Sequence, residues 1–172
     1  RRVTGISRAR GGKSKARVHR MAHLLSVCKK ARKLYPTGAQ SQALWGVSVH
    51  GLAPSRLAAL RADAVRATGL AHSGTCATVA IRLAFGAALD PGVKHRVQLL
   101  CMWARYLSKN PEVVQRATAV WLALQRRLNT DDLKLWKRVK GPASAVIATL
   151  RGIGWKAPSP DCFIGAHGCS WR

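Results

Sequence analysis

Acidic residues are what this sequence has least of. Six Asp and Glu stand among 172 residues, against 30 Lys and Arg, for a formal net charge of +24. Phosphoryl-transfer chemistry on two metal ions needs several carboxylates converging on one site. Here Asp63, Asp90, Glu112, Asp131, Asp132 and Asp161 are dispersed along the chain. Asp90 stands before a proline, as a helix cap would. Glu112, Asp131 and Asp132 fall in expected first turns, where a carboxylate faces the positive end of the helix dipole. The Asp131-Asp132 doublet lacks the flanking apolar strand of a polymerase site. No Ser-His-Asp spacing offers another chemistry, so the reading assigns no catalytic residue, no metal and no cofactor, and the chain is not a complete enzyme.

Long apolar runs are missing too. No stretch approaches the roughly 18 residues of a membrane span, and no apolar core follows the opening charges as it would in a secretory signal. No membrane partner is expected. Five cysteines (Cys28, Cys76, Cys101, Cys162 and Cys169) are too few and too scattered for a disulfide framework. The first three lie in apolar helical runs, where a free thiol acts as a small core residue. A reducing, intracellular compartment fits. Cys162, His167 and Cys169 make only part of a zinc ligand set, at a spacing of no standard knuckle. His19 and His23 are four apart with no third ligand near, and His50, His72 and His95 stand alone. The chain opens on Arg1 rather than Met, which reads as a fragment, a processed product or an incomplete frame.

What is present is a hydrophobic fraction of 48%, enough for a domain with a real core. Charge of this size weakens a compact state through self-repulsion unless a polyanion neutralises it. Nucleic acid is the expected partner, ahead of an acidic membrane surface or an acidic protein.

Residues 1–15, "RRVTGISRARGGKSK", hold six basic residues, three glycines and no acid, and read as a disordered basic arm. "GGKS" fails as a phosphate-binding loop, because Ser7 occupies the place of the first glycine and no strand precedes it. From Ala16 to Leu34, Met21, Leu24, Leu25, Cys28 and Ala31 recur at helical spacing. Across residues 1–34 there are twelve Lys or Arg and no carboxylate, where an ordinary solvated face would intersperse both signs. Residues 39–49 read as one short buried helix with Trp45 as its anchor. Pro54 opens and Gly69 closes the next helix, with Leu57, Leu60, Ala64 and Val65 inward. Residues 75–88 form another. Asp90-Pro91 and Asn110-Pro111 mark two capped starts. The first helix places Val93, Val97, Leu100, Ala104 and Leu107 on its inner stripe; the second places Val113, Ala117, Val120, Trp121 and Leu124 there. Thr130 caps a short helix through Trp136, and Gly141-Pro142 begins a last one that ends near Gly152 or Gly154. The tail from residue 156 is Pro- and Gly-rich, with apolar pieces around "GAHG" that suggest a hairpin or the beginning of another unit. The expectation is an all-α bundle of about six to eight helices. It comprises a disordered arm (1–15), a helical domain (16–155) and a β-like tail (156–172). Most of the six tryptophans sit at core-compatible spacing; Trp136, among Lys134, Lys137 and Arg138, is kept as a stacking candidate.

The stretch "ARKLYPTGAQSQALWGVSVHGLAPSRLAALRADAVRATG" resembles the region just downstream of the polymerase core in non-LTR retrotransposon reverse transcriptases, particularly dinoflagellate copies. "CATVAIRLAFGAALDP", "WKRVKGPASAVIATLRGIGWKAPSPD" and the closing Gly168 to Trp171 are similar too, so the likeness covers most of residues 16–172. The resemblance implies a helical thumb or connection region that grips a primer-template duplex, within a larger polyprotein carrying further domains. The family's catalytic acids belong to a palm with a Tyr/Phe-x-Asp-Asp motif, which nothing here matches. Sequence-independent binding of RNA, DNA or a hybrid is therefore the expected role. Its candidate contacts are Arg8, Arg10, Lys13, Lys15, Arg17, Arg20, Lys29, Lys30, Arg32, Lys33, Trp136, Lys137 and Arg138. The alternative is a basic structural RNA-binding protein, such as an organellar ribosomal subunit within a ribonucleoprotein particle. A membrane-surface helix at residues 16–34 and a decayed copy without selected function are further readings. Localisation would be nuclear for a retroelement product and organellar for a ribosomal subunit.

Overall fold

The computed structural model describes residues 2–70, 74–129, 132–168 and 170–171. The expectations at Arg1, His72, Thr130, Asp131 and Cys169 lie outside the described residues, as do those for the side chains of Arg8, Asp132, Lys134 and Trp171.

The chain is helical, as its periodicity implies. α1 (Arg2–Val27) is followed by a 3₁₀ turn (Lys29–Lys33) and a π turn (Tyr35–Ala39). Then come α2 (Gln40–Ala43), α3 (Val47–His50), α4 (Pro54–Thr68), α5 (Ala77–Phe85) and a 3₁₀ turn at Ala87–Leu89. α6 (Pro91–Lys109), α7 (Pro111–Leu128), α8 (Asp132–Arg138) and α9 (Pro142–Arg151) complete the helices. The tail forms the expected hairpin: β1 (Phe163–Ile164) pairs antiparallel with β2 (Ser170–Trp171), Phe163 opposite Trp171 and Ile164 opposite Ser170.

Where the sequence suggests one helical domain over 16–155, the structure divides into two compact units. The first comprises Arg1–Gly46 with Ala53–His95, the second Val47–Leu52 with Arg96–Arg172.

In the first unit Val18, Met21, Tyr35, Ala39, Ala64, Ala67 and Ile81 form the core, with Val65 and Phe85 against it. Its aromatic anchor is Tyr35, 1% exposed and stacked on Phe85 at 5.4 Å between ring centres. Trp45, the expected anchor, is 63% exposed. The π turn and Gly46, which adopts φ +78°, break residues 39–49 into short turns, so no continuous helix face carries Trp45 inward. Residues 2–15 are helix rather than a disordered arm. The buried Ser14 hydroxyl donates to the Ala39 carbonyl at 2.8 Å and ties this end of α1 to the π turn.

Several polar groups in this interior are matched, while Gln42 Oε1 and Arg61 Nε are buried without a hydrogen-bond partner. Gln40 Nε2 donates to the Leu89 carbonyl at 2.6 Å, and Lys94 Nζ lies 3.4 Å from Gln40 Oε1. Loss of hydration holds the Lys94 ammonium below the usual lysine range. Asp90 caps α6 as expected, accepting from the Gly92 N–H at 2.7 Å, and also pairs with Arg61 at 3.3 Å. α1 ends at Val27 instead of reaching Leu34, because Cys28 is extended. Cys28, Cys76 and Cys101 are exposed, against expectation: Cys28 occupies that break, Cys76 precedes α5, and Cys101 lies on the outer side of α6.

In the second unit Trp103 and Trp121 stack with ring centres 5.8 Å apart. Both indole N–H groups are buried and matched, Trp103 to the Pro160 carbonyl at 2.7 Å and Trp121 to that of Ala157 at 2.8 Å. Gln125 Nε2 donates to the same Ala157 oxygen. Residues 144–150 of α9 are buried throughout, as are Leu99, Leu107, Leu128 and Leu135. The inner stripe of α6 is thus Leu99, Trp103 and Leu107; Val93, Val97 and Ala104 face out, and on α7 Val120 does so too. A tryptophan flanked by leucines at four-residue spacing removes more apolar area from water than valines and an alanine would, and this sets the rotation of the helix. Asn110 does not cap α7. Its side-chain amide donates back to the Tyr106 carbonyl at 2.8 Å and closes α6. At the start of α9, Ser144 Oγ accepts the Lys140 and Gly141 N–H groups, each at 3.1 Å.

Two outcomes follow for stability. Burial first, then the charges of Asp63 and Asp90, push the Tyr35 phenol above its ordinary value of 10.0. Above pH about 10 the unfolded chain therefore loses that proton while the folded one keeps it, and stability falls as pH rises. Tyr35→Phe removes a bond to the Leu60 carbonyl and should cost about 1 kcal/mol at pH 7. The same variant should lose less stability than the parent between pH 9 and 11, as read by denaturant unfolding at each pH. Trp103→Phe leaves the Pro160 carbonyl unmatched and should lower stability by about 1–3 kcal/mol in urea unfolding.

Candidate nucleic-acid interface

α1 carries its buried residues Ser14, Val18 and Met21 on one line, four and three positions apart. Arg10, Lys13, Arg17 and Arg20 repeat at the same spacings and form a separate stripe along the helix. Lys13, Arg17 and Arg20 are exposed, and so is Lys15 on another side. Immediately after α1, the 3₁₀ turn presents Lys29, Lys30, Arg32 and Lys33, all exposed.

Between α1 and the π turn lies an open groove of about 510 Å³. Arg17 and Arg20 stand on one wall and Thr37 and Gly38 on the other, over Met21, Leu24, Leu34 and Ala39. Guanidinium groups above an apolar floor can hold a phosphate while the floor takes the sugar edge. Arg10 differs from the others: it is half-buried, with its guanidinium carbon 3.3 Å from the centre of the Trp45 ring.

Ion pairing does not neutralise this surface. Among the described residues the ion pairs are Arg61 with Asp90 and Arg66 with Asp63, at 3.3 and 2.9 Å. Both acids are buried in the first unit, and neither pair includes a cation of α1 or of the 3₁₀ turn. His19 and His23 do share a face of α1, edge to face at 5.1 Å. No group of three or more His, Cys, Asp or Glu that could hold a metal exists among the described residues.

The second unit holds the remaining candidates. Lys137 and Arg138 are exposed on α8, and Arg138 donates to the Arg127 carbonyl at 2.8 Å. Trp136 is half-buried and packs on the core; a methyl group placed at Gly51 would lie 2.8 Å from its ring. Part of its ring is engaged in this packing.

Two features escaped the sequence reading. Arg126, Arg151 and Lys156 converge on a groove beside Trp155, from three separate elements that no basic run connects. Trp45 is the second, and its signal was Gly46, a helix breaker directly after the presumed anchor. No helix among the described residues is long and apolar enough to cross a membrane. No protein-family model, curated protein or solved structure matches the chain.

With so few acids against so many cations, like-charge repulsion outweighs attraction. Screening should therefore stabilise the fold: the melting temperature should rise between about 0.02 and 0.5 M NaCl, as the Debye length shrinks from roughly 20 to 4 Å. A falling melting temperature would show that the two internal ion pairs dominate.

Proposed function

We propose that this chain binds nucleic acid without regard to sequence, through α1 and the 3₁₀ turn that follows it. The observation that carries the reading is the density of exposed cations on these two consecutive elements, none of them in an ion pair among the described residues. Lys13, Lys15, Arg17, Arg20, Lys29, Lys30, Arg32 and Lys33 provide the phosphate contacts of the first unit, and Lys137 and Arg138 are the candidates of the second. Such contacts fix position and supply affinity but read no bases. The resemblance to the post-polymerase region of retroelement reverse transcriptases supports a duplex or hybrid ligand and a nuclear setting. The polymerase reaction itself is not part of the proposal, because its acids have no counterpart here.

A salt titration of binding to a labelled RNA–DNA hybrid, with folded and single-stranded RNA alongside, tests this. If about six phosphate contacts form, log Kd against log salt should have a slope near 5 in magnitude, from roughly 0.9 per phosphate. Charge reversal at Lys29, Lys30 or Lys33 should reduce that slope by about 1 each, with little dependence on sequence. A slope below about 2 would sink the phosphate-grip reading. Tight binding to folded RNA alone would favour a structural role in a ribonucleoprotein particle.

A further inference from the structure

We propose that Trp45 is a stacking platform for an unpaired nucleobase, with Arg10 as its fixed backing. The inference rests on the nucleic-acid reading above and adds which part of the ligand the first unit grips beyond phosphate.

Tryptophan has the largest apolar side chain and is ordinarily well buried. Trp45 is 63% exposed, although the Arg10 guanidinium lies only 3.3 Å from its ring centre. A group that close covers one face of the indole. A ring so covered that still keeps most of its surface in water must have its other face open. Arg10 also restrains the ring from α1, an element remote in sequence, which lowers the ordering cost when a ligand stacks on it.

The surroundings leave room for a ligand backbone. A methyl group added at Gly46, beside the ring, or at Gly12, on α1, would meet nothing within 4 Å. Arg10 begins the stripe that continues through Lys13, Arg17 and Arg20, which at 1.5 Å per residue extends about 15 Å. A strand with a base on Trp45 would have its following phosphates along this line of exposed cations. The ligand chemistry is therefore a single-stranded end or overhang of any sequence, because every base offers a π face.

The test compares a blunt RNA–DNA hybrid with the same hybrid carrying a short single-stranded overhang, using the full chain and anisotropy of a labelled strand. Trp45→Ala should weaken overhang binding about tenfold and leave the blunt hybrid unchanged, while Trp45→Phe keeps most of the overhang affinity. Circular dichroism melting of each variant checks that the fold survives. If Trp45→Ala binds both ligands as the parent does, the platform is overturned and the phosphate grip stands. Equal weakening on both ligands would make Trp45 a support of the fold and likewise overturn the platform. A parent chain that binds neither ligand removes this inference together with the reading beneath it.

Discussion

Scarcity of carboxylate governs how this molecule is held together. An ordinary small domain can join distant elements with ion pairs; among the described residues here the Arg61–Asp90 pair alone does so, the Arg66–Asp63 pair lying within α4. Elsewhere the structure depends on neutral donors directed at backbone carbonyls: Ser14 to Ala39, Tyr35 to Leu60, Gln40 to Leu89, Trp103 to Pro160 and Trp121 to Ala157. Each joins residues far apart in sequence. Such bonds are indifferent to ionic strength, and each buried donor that loses its acceptor would cost more than the bond itself contributes. The same arrangement leaves the cations of α1 and of the 3₁₀ turn outside the ion pairs of the described residues, where they can meet an external polyanion.

The two units answer this constraint differently. The first has a small core with Tyr35 on Phe85 as its aromatic centre, Asp63 and Asp90 buried in ion pairs and Lys94 drawn partly inward. The second is larger in apolar content and is built on the stacked Trp103 and Trp121, with α9 buried along most of its length. A hydrophobic core of that kind can be assembled without any acid. At the end of α7, Arg138 and Arg151 donate to the open carbonyls of Arg127 and Leu128.

Helix existence was legible in the sequence because Pro54, Pro91, Pro111 and Pro142 mark four starts and Gly69 a stop. Helix rotation was less so. On α6 both Val93-Val97-Ala104 and Leu99-Trp103-Leu107 are apolar at helical spacing, and only the tertiary partner, the Trp121 ring, decides between them. The short turns over residues 39–49 were read as one helix, because composition shows the helix formers but not the π turn and Gly46 that interrupt them. Of the candidate contacts, the basic run on α1 and the 3₁₀ turn was visible as charge with no acid between. The Arg10–Trp45 contact was not, since nothing local links two residues on different elements. Asn110 shows the same limit: its position before Pro111 indicates a cap, yet its amide turns back to the preceding helix.

The indole bonds to Ala157 and Pro160 have a consequence for the order in which the chain can mature. The second unit includes residues 47–52 and closes its core only when the segment carrying those two carbonyls is present. The first unit is complete at His95. During synthesis, which delivers the amino-terminal part first, the basic unit can thus fold while the tryptophan pair still waits for its acceptors. The stretch from Ala157 to Pro160 then acts as a latch: until it arrives, two indole N–H groups have no protein acceptor, and the second unit remains half finished.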